Sequence, residues 1–355
     1  MAPSAISADS SSVPASRDNH EDHEADDAPI TSLRQILTSE SAPLARRFRA
    51  LFSLKHYACL QPPTSQSIPA IRAIAAAFPT PSDLLKHELA YCLGQTRNLA
   101  AVPFLRSRLE DLEEAAICRH EAAEALGALG DAGSLELLRT LRDQEGEDQI
   151  VRETCEIAVE RMEWETSRVA KAEKIQKSNF ASIDPAPPFS QDEKQPSIPK
   201  LEQTLLNTTL PLFQRYRAMF SLRDLCSPPD LPTAVPAVLA LAKGLRDPSA
   251  LFRHEIAFVF GQLSHPASIP SLYDTLSDKK EMDMVRHEAA EALGSLGDED
   301  GVADMLKQYI DDDQQVVRES IVVALDMVEF ERNGEVEYAL MPEQETGASI
   351  VIATA

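Results

Sequence analysis

The chain has 355 residues, with 34 basic against 57 acidic side chains and a formal net charge of −23. No apolar run approaches the roughly 20 residues that a membrane-spanning helix needs, and duplex nucleic-acid binding, which needs clustered Lys and Arg, is excluded by so acidic a balance. That field suits a basic protein partner or a cationic small substrate. Aromatic residues make up only 5% and glycines number 12, while Ala and Leu recur throughout, so the composition favours an all-α chain. The five cysteines, Cys59, Cys92, Cys118, Cys155 and Cys226, form no CxxC pair and read as reduced thiols. With no apolar stretch at the start, no secretory signal is expected, and the protein is placed in the cytoplasm, with the nucleus as a second compartment.

Residues 1–30 carry seven acids against the single base Arg17 and open Ser-rich, which predicts a disordered acidic tail. Helical periodicity then runs through 31–170. It breaks at 171–200, where Pro185, Pro187, Pro188, Pro196 and Pro199 stand among polar residues and predict a linker with no core of its own. It resumes over 201–332 and stops before a C-terminal tail, 333–355.

The two periodic blocks are copies. Pro43 to Lys55 (PLARRFRALFSLK) matches Pro211 to Arg223 (PLFQRYRAMFSLR), and His87 to Gln95 (HELAYCLGQ) matches His254 to Gln262 (HEIAFVFGQ). Arg119 to Asp131 and Arg286 to Asp298 differ only at Ala128 against Ser295. Each block repeats within itself: His87 to His120 and His254 to His287 are both 33 residues, and further units follow at Val151-Arg152-Glu153 and Val317-Arg318-Glu319. A unit of that length holds two helices and buries its apolar faces only by stacking on its neighbours. The prediction is an α-solenoid of eight HEAT-like helical-hairpin repeats in two four-repeat halves, with Gly130 and Gly297 as helix stops.

This pattern resembles HEAT repeats, and the four-plus-four arrangement with four His-Glu dipeptides in register resembles the deoxyhypusine hydroxylase family over nearly all of 31–332. Aligning the repeats gives a column reading Arg49, His87, His120, Arg152, Arg217, His254, His287, Arg318. The outer repeats carry arginine, and the inner ones carry histidine followed by glutamate. Half of the chain's eight histidines sit in this column; His20-Glu21 and His23-Glu24 lie in the polar tail, and His56 and His265 read as ordinary surface or turn residues. Stacked helices lie about 8 to 10 Å apart, so equivalent side chains of adjacent repeats can converge on an ion. Each half then offers two imidazoles and two carboxylates: His87, Glu88, His120 and Glu121 in one, His254, Glu255, His287 and Glu288 in the other.

Imidazole plus carboxylate with open positions suits ferrous iron handling O2 better than structural zinc, which favours thiolates and a closed shell. The resemblance implies more. It implies a non-haem di-iron centre, two Fe(2+) per chain, held by those eight residues, and a monooxygenase that hydroxylates the deoxyhypusine side chain of translation initiation factor 5A with O2 and an external reductant. It also implies that Glu88 and Glu255 either bind iron or hold the substrate's amines. Glu124 and Glu291, one turn after His120 and His287, read either as supports for the ligands or as solvated-face or structurally paired residues. The chain is expected to act as a monomer, without nucleic acid or membrane. The competing readings are a non-catalytic HEAT-repeat scaffold and a repeat-type cofactor lyase. P-loop, Rossmann, GxSxG and HExxH motifs are absent, as is the Glu-x-x-His signature of ferritin-like bundles.

Overall fold

The computed structural model describes residues 28–168, 170, 173, 178–190 and 196–333. Among these residues the secondary structure is entirely helical. The first half holds α1 (Ala28–Leu37), α2 (Leu44–Cys59), α3 (Ser67–Ala75), α4 (Asp83–Gly94), α5 (Val102–Leu109), α6 (Ala116–Leu129), α7 (Leu135–Asp143) and α8 (Gln149–Thr166). The second holds α9 (Ile198–Leu205), α10 (Leu212–Asp224), α11 (Ala234–Ala242), α12 (Ala250–Leu263), α13 (Ile269–Ser277), α14 (Asp283–Gly294), α15 (Val302–Lys307) and α16 (Gln315–Asn333).

Two layers follow from the side chains. The odd-numbered helices are amphipathic and outer: α7, for example, buries Leu138 and Leu141 and leaves most of its other residues at the surface. The even-numbered helices are inner, and those that carry the histidines are buried nearly all round, as in α14, where Met284 to Ala290 are all buried. Inner helices pack side by side in chain order, and the row then closes on itself: α8 meets α10 and α12, and α16 meets α2 and α4. The solenoid is therefore a ring in which each half ends against the start of the other.

Small residues hold the inner helices close. A Cβ added at Gly94 of α4 would lie 2.7 Å from the Ala125 methyl of α6, one at Gly127 of α6 would lie 2.8 Å from that of Ala158, and one at Gly294 of α14 would lie 2.9 Å from that of Ala324. Gly127 and Gly294 stand two helical turns after His120 and His287, and Gly94 and Gly261 two turns after His87 and His254. Where Gly130 takes φ +64° it caps α6 as expected. Gly297 does not take that role: α14 already ends at Gly294, and Gly297 instead lets Val328 approach.

A recurrent arginine ties the layers together. Nε of Arg47, Arg119, Arg215 and Arg286 donates to the carbonyls of Leu37, Leu109, Leu205 and Leu276 at 2.8 to 3.1 Å, satisfying the end of the preceding outer helix. The same guanidinium groups pair with Glu40, Glu147, Asp247 and Asp312. Arg152 joins this set, donating to the Arg142 carbonyl at 3.3 Å. It therefore matches Arg119 rather than His120, and the histidine column holds Glu153 there and Glu319 after Arg318; in the first repeat of each half it holds Phe48 and Tyr216, next to Arg47 and Arg215, rather than Arg49 and Arg217.

The stretch expected to be a coreless linker is packed where it is described. Ile183 and Ala186 are buried. Asp184 accepts two hydrogen bonds of 2.7 Å from Arg223. Gln95 Oε1 accepts from the Ile183 amide and Gln262 Nε2 donates to Ser182, both at 2.8 Å. Gln95 and Gln262 are equivalent residues of the two halves, so residues 182 and 183 lie across the line that relates them. α9 begins at Ile198, inside the expected linker, and α1 at Ala28, inside the expected tail; residues 1–27 and 334–355 lie outside the described residues.

Candidate metal centre

The four column histidines ride on α4, α6, α12 and α14, and closure of the ring brings them together. His87 and His120 have ring centroids 5.4 Å apart at 39°, and His254 and His287 repeat this at 5.4 Å and 43°. Across the halves, His87 to His287 is 5.3 Å at 77° and His120 to His254 is 5.3 Å at 82°. The matched values describe a pseudo-twofold arrangement in which edges between halves are as short as those within them. The histidines therefore form one four-membered cluster rather than one pair per half, and His87, His120 and His254 can present nitrogens within 4.8 Å of one another, as can His254 and His287 with Glu288.

Carboxylates flank the rings with the same symmetry. A Glu121 oxygen lies 3.3 Å from His87 Nε2, and a Glu288 oxygen 3.4 Å from His254 Nε2. Glu124 groups with His120 and Glu121, while Glu291 lies 3.5 Å from His287 Nδ1 and accepts from Ser320. Glu88 sits near Cys92 Sγ at 3.9 Å, and Glu255 leaves Oε1 buried without a partner. All eight residues expected to bind metal are buried, His120 and His287 completely.

The chemistry of this pocket calls for cations. Eight buried imidazole nitrogens make no hydrogen bond, although a buried polar group left unmet costs about 1–3 kcal/mol. Burial holds His87 below the usual range, and burial with the neighbouring imidazoles holds His120 and His287 well below it, so their nitrogens offer lone pairs. Burial pushes Glu88 up to about 7 and Glu121 up to about 8. Burial together with nearby carboxylates lifts Glu124, Glu255 and Glu291 well above the ordinary value. Neutral imidazoles amid crowded carboxyl groups, sealed from water, are a ligand set for divalent ions.

The surroundings break the symmetry. Lys55 places Nζ 4.7 Å from the Tyr91 ring centre, and burial of its charge is outweighed by Tyr91, Cys92 and Glu88. Its counterpart Arg223 is committed to Asp184, Asp224 and Gln262. A cavity of about 340 Å³ opens at the N-terminal ends of α4, α6, α8, α14 and α16, walled by Asp83, Asp148, Asp283 and Glu319 among apolar side chains. It lies one helical turn before His87, His120 and His287.

Two residues escape notice in the sequence. Glu153 stands 33 residues after His120 and Glu319 stands 32 after His287. Each reaches the opposite half, accepting 2.6 Å hydrogen bonds from Ser249 and Ser82 respectively. The spacing itself was the available signal, hidden by the preceding arginines, which imitate the column one residue early.

Fold and site together define a closed helical-repeat protein with a buried histidine-carboxylate centre suited to metal. The model for HEAT repeats matches residues 68–160 and 235–326. Deoxyhypusine hydroxylase of Phaeosphaeria nodorum is 68% identical over 323 residues, covering 91% of this chain and 98% of that protein. That of Neurospora crassa is 64% identical over 322 residues, covering 91% and 99%. The solved structure of human deoxyhypusine hydroxylase in complex with glycerol aligns with TM-score 0.74 and 42% identity, over 85% of this chain and 96% of that one. The chain belongs to the deoxyhypusine hydroxylase family.

Proposed function

We infer that this chain is a monooxygenase that converts the deoxyhypusine side chain of translation initiation factor 5A to hypusine. The observation that carries the reading is the set of eight imidazole nitrogens, none of them hydrogen-bonded, meeting between the halves, with Glu121 and Glu288 beside them. His87, His120, His254 and His287 with Glu121 and Glu288 would hold two ferrous ions, and Glu88 and Glu255 complete the candidate set. The ions would supply the binding and activation of O2, with electrons from an external reductant.

The protein's own residues do the rest. Neutral imidazoles donate without carrying charge, which leaves the carboxylates to balance the cations. Burial of every ligand keeps bulk water out, which strengthens each electrostatic contact and protects reactive species. The acidic wall of the cavity attracts a long, positively charged side chain. A Glu88 or Glu255 oxygen can anchor its amine by a charge-assisted hydrogen bond. One chain supplies both halves of the site, so a monomer suffices, and five unpaired cysteines suit the reducing cytoplasm and nucleus.

Metal analysis of purified protein is expected to give about two irons per chain. His120→Ala and His287→Ala should lower that content and abolish hydroxylation of the deoxyhypusine form of the factor. Full activity in both variants refutes the reading, and metal-free protein indifferent to the histidines leaves a scaffold.

A further inference from the structure

We propose that Glu153 and Glu319 are positioning residues that set the spacing between the two halves across the centre, a role that rests on the metal-site reading above. Glu153 lies on α8 and Glu319 on α16, the last inner helix of each half. One oxygen of each takes a local 2.7 Å hydrogen bond from the glutamine four residues earlier, Gln149 or Gln315. The other oxygen takes a 2.6 Å bond from a serine of the opposite half, Ser249 or Ser82.

Those serines are the N-caps of α12 and α4, the helices that carry His254 and His87. Ser249 Oγ accepts from the Phe252 amide at 3.1 Å and Ser82 Oγ from the Leu85 amide at 3.0 Å. Each hydroxyl therefore turns one lone pair to its own helix and its single proton to the other half. Both serines are buried, 5% and 6% exposed, so water competes poorly for either bond. Two symmetric bolts thus join the end of each half to the start of a histidine helix in the other. The cluster depends on that spacing, because two of its four short edges, His87–His287 and His120–His254, run between halves.

The test separates the bolt from the cap. Glu153→Ala with Glu319→Ala removes the bond between halves and leaves both serine caps intact, whereas Glu→Gln at both positions keeps a carbonyl acceptor. Titrating the cation-free chain with Co(II) should show affinity lowered about ten-fold or more in the double Ala variant, altered visible bands, and recovery of both in the double Gln variant. Wild-type affinity and bands in the double Ala variant overturn the proposal, and so does failure of the Gln pair to restore them.

Spin labels at the exposed positions Leu99→Cys and Val235→Cys, one in each half, keep this apart from the metal reading. The distance distribution of the cation-free chain should broaden in the double Ala variant. An unchanged distribution overturns the positioning role even where wild-type protein takes up no cobalt, a result that would by itself defeat the metal-site reading.

Discussion

Among single residues, the division of labour between histidines sharpens the expected effects. Glu121→Ala and Glu288→Ala remove the carboxylates nearest His87 and His254 and should weaken metal binding ten-fold or more, read by metal titration. His265 provides the contrast: its Nδ1 accepts from the Ala267 amide at 3.1 Å as a turn cap. His265→Ala should cost about 1 kcal/mol in denaturant unfolding and leave metal content unchanged. The four histidines were legible because an unusual residue recurs in register in a duplicated chain. Their mutual arrangement was not, because sequence spacing sets neighbours along a solenoid and says nothing of contacts made when its ends meet. The arginine column failed in the first and fourth units of each half for a related reason: an arginine one residue out of step imitates it, and only the bonds of Arg47, Arg152 and Arg215 to the carbonyls ten residues earlier show the true register.

Between helices, the glycines two turns beyond the histidines set how closely the inner layer packs. Gly94→Val forces a side chain into Ala125 and should cost about 1–3 kcal/mol by overpacking, with weaker metal binding, because α4 and α6 must part. Gly261, whose added Cβ would meet Ala292 at an ordinary 3.4 Å, should accept Ala with little loss in the same denaturant assay. The arginine latches add a pH dependence. Hydrogen bonds from Arg119 and Arg286 hold Glu147 and Asp312 below their ordinary values. A depressed carboxylate contributes stability above its unfolded pKa of about 4 and loses it as pH falls through the lower folded value. Denaturant midpoints should therefore drop below about pH 4, and Asp312→Asn should flatten part of that acid limb. The helices and their apolar faces were legible from periodicity. The latches were not, since a surface arginine and one spanning ten residues to a carbonyl have the same letter.

For the whole molecule, closure makes metal and fold interdependent. In the proposed site the ligands would come from both halves and bind only the closed form, so chelation should lower the thermal unfolding midpoint, and restoring iron should return it. The crossover segment belongs to this closure. Its proline content suggested an inert tether, but proline also rigidifies a segment that docks, and Ile183 and Asp184 dock. Deleting 182–186 removes the docked side chains and is expected to abolish hydroxylation and lower the unfolding midpoint. Tethering alone would leave both unchanged.

The matched edges of the histidine cluster bear on how its two halves are joined. A single half carries only one of the pairs, His87–His120 or His254–His287, and would complete the cluster only by pairing with a second copy of itself, with assembly limited by concentration. Carrying both copies in one polypeptide makes that pairing intramolecular. It also leaves each copy its own surroundings: Lys55 stands in the field of Glu88 and over the Tyr91 ring in one, while in the other Arg223 is committed to Asp184 of the crossover. Residues 31–170 expressed alone should therefore hold no metal as a monomer and regain it only on self-association.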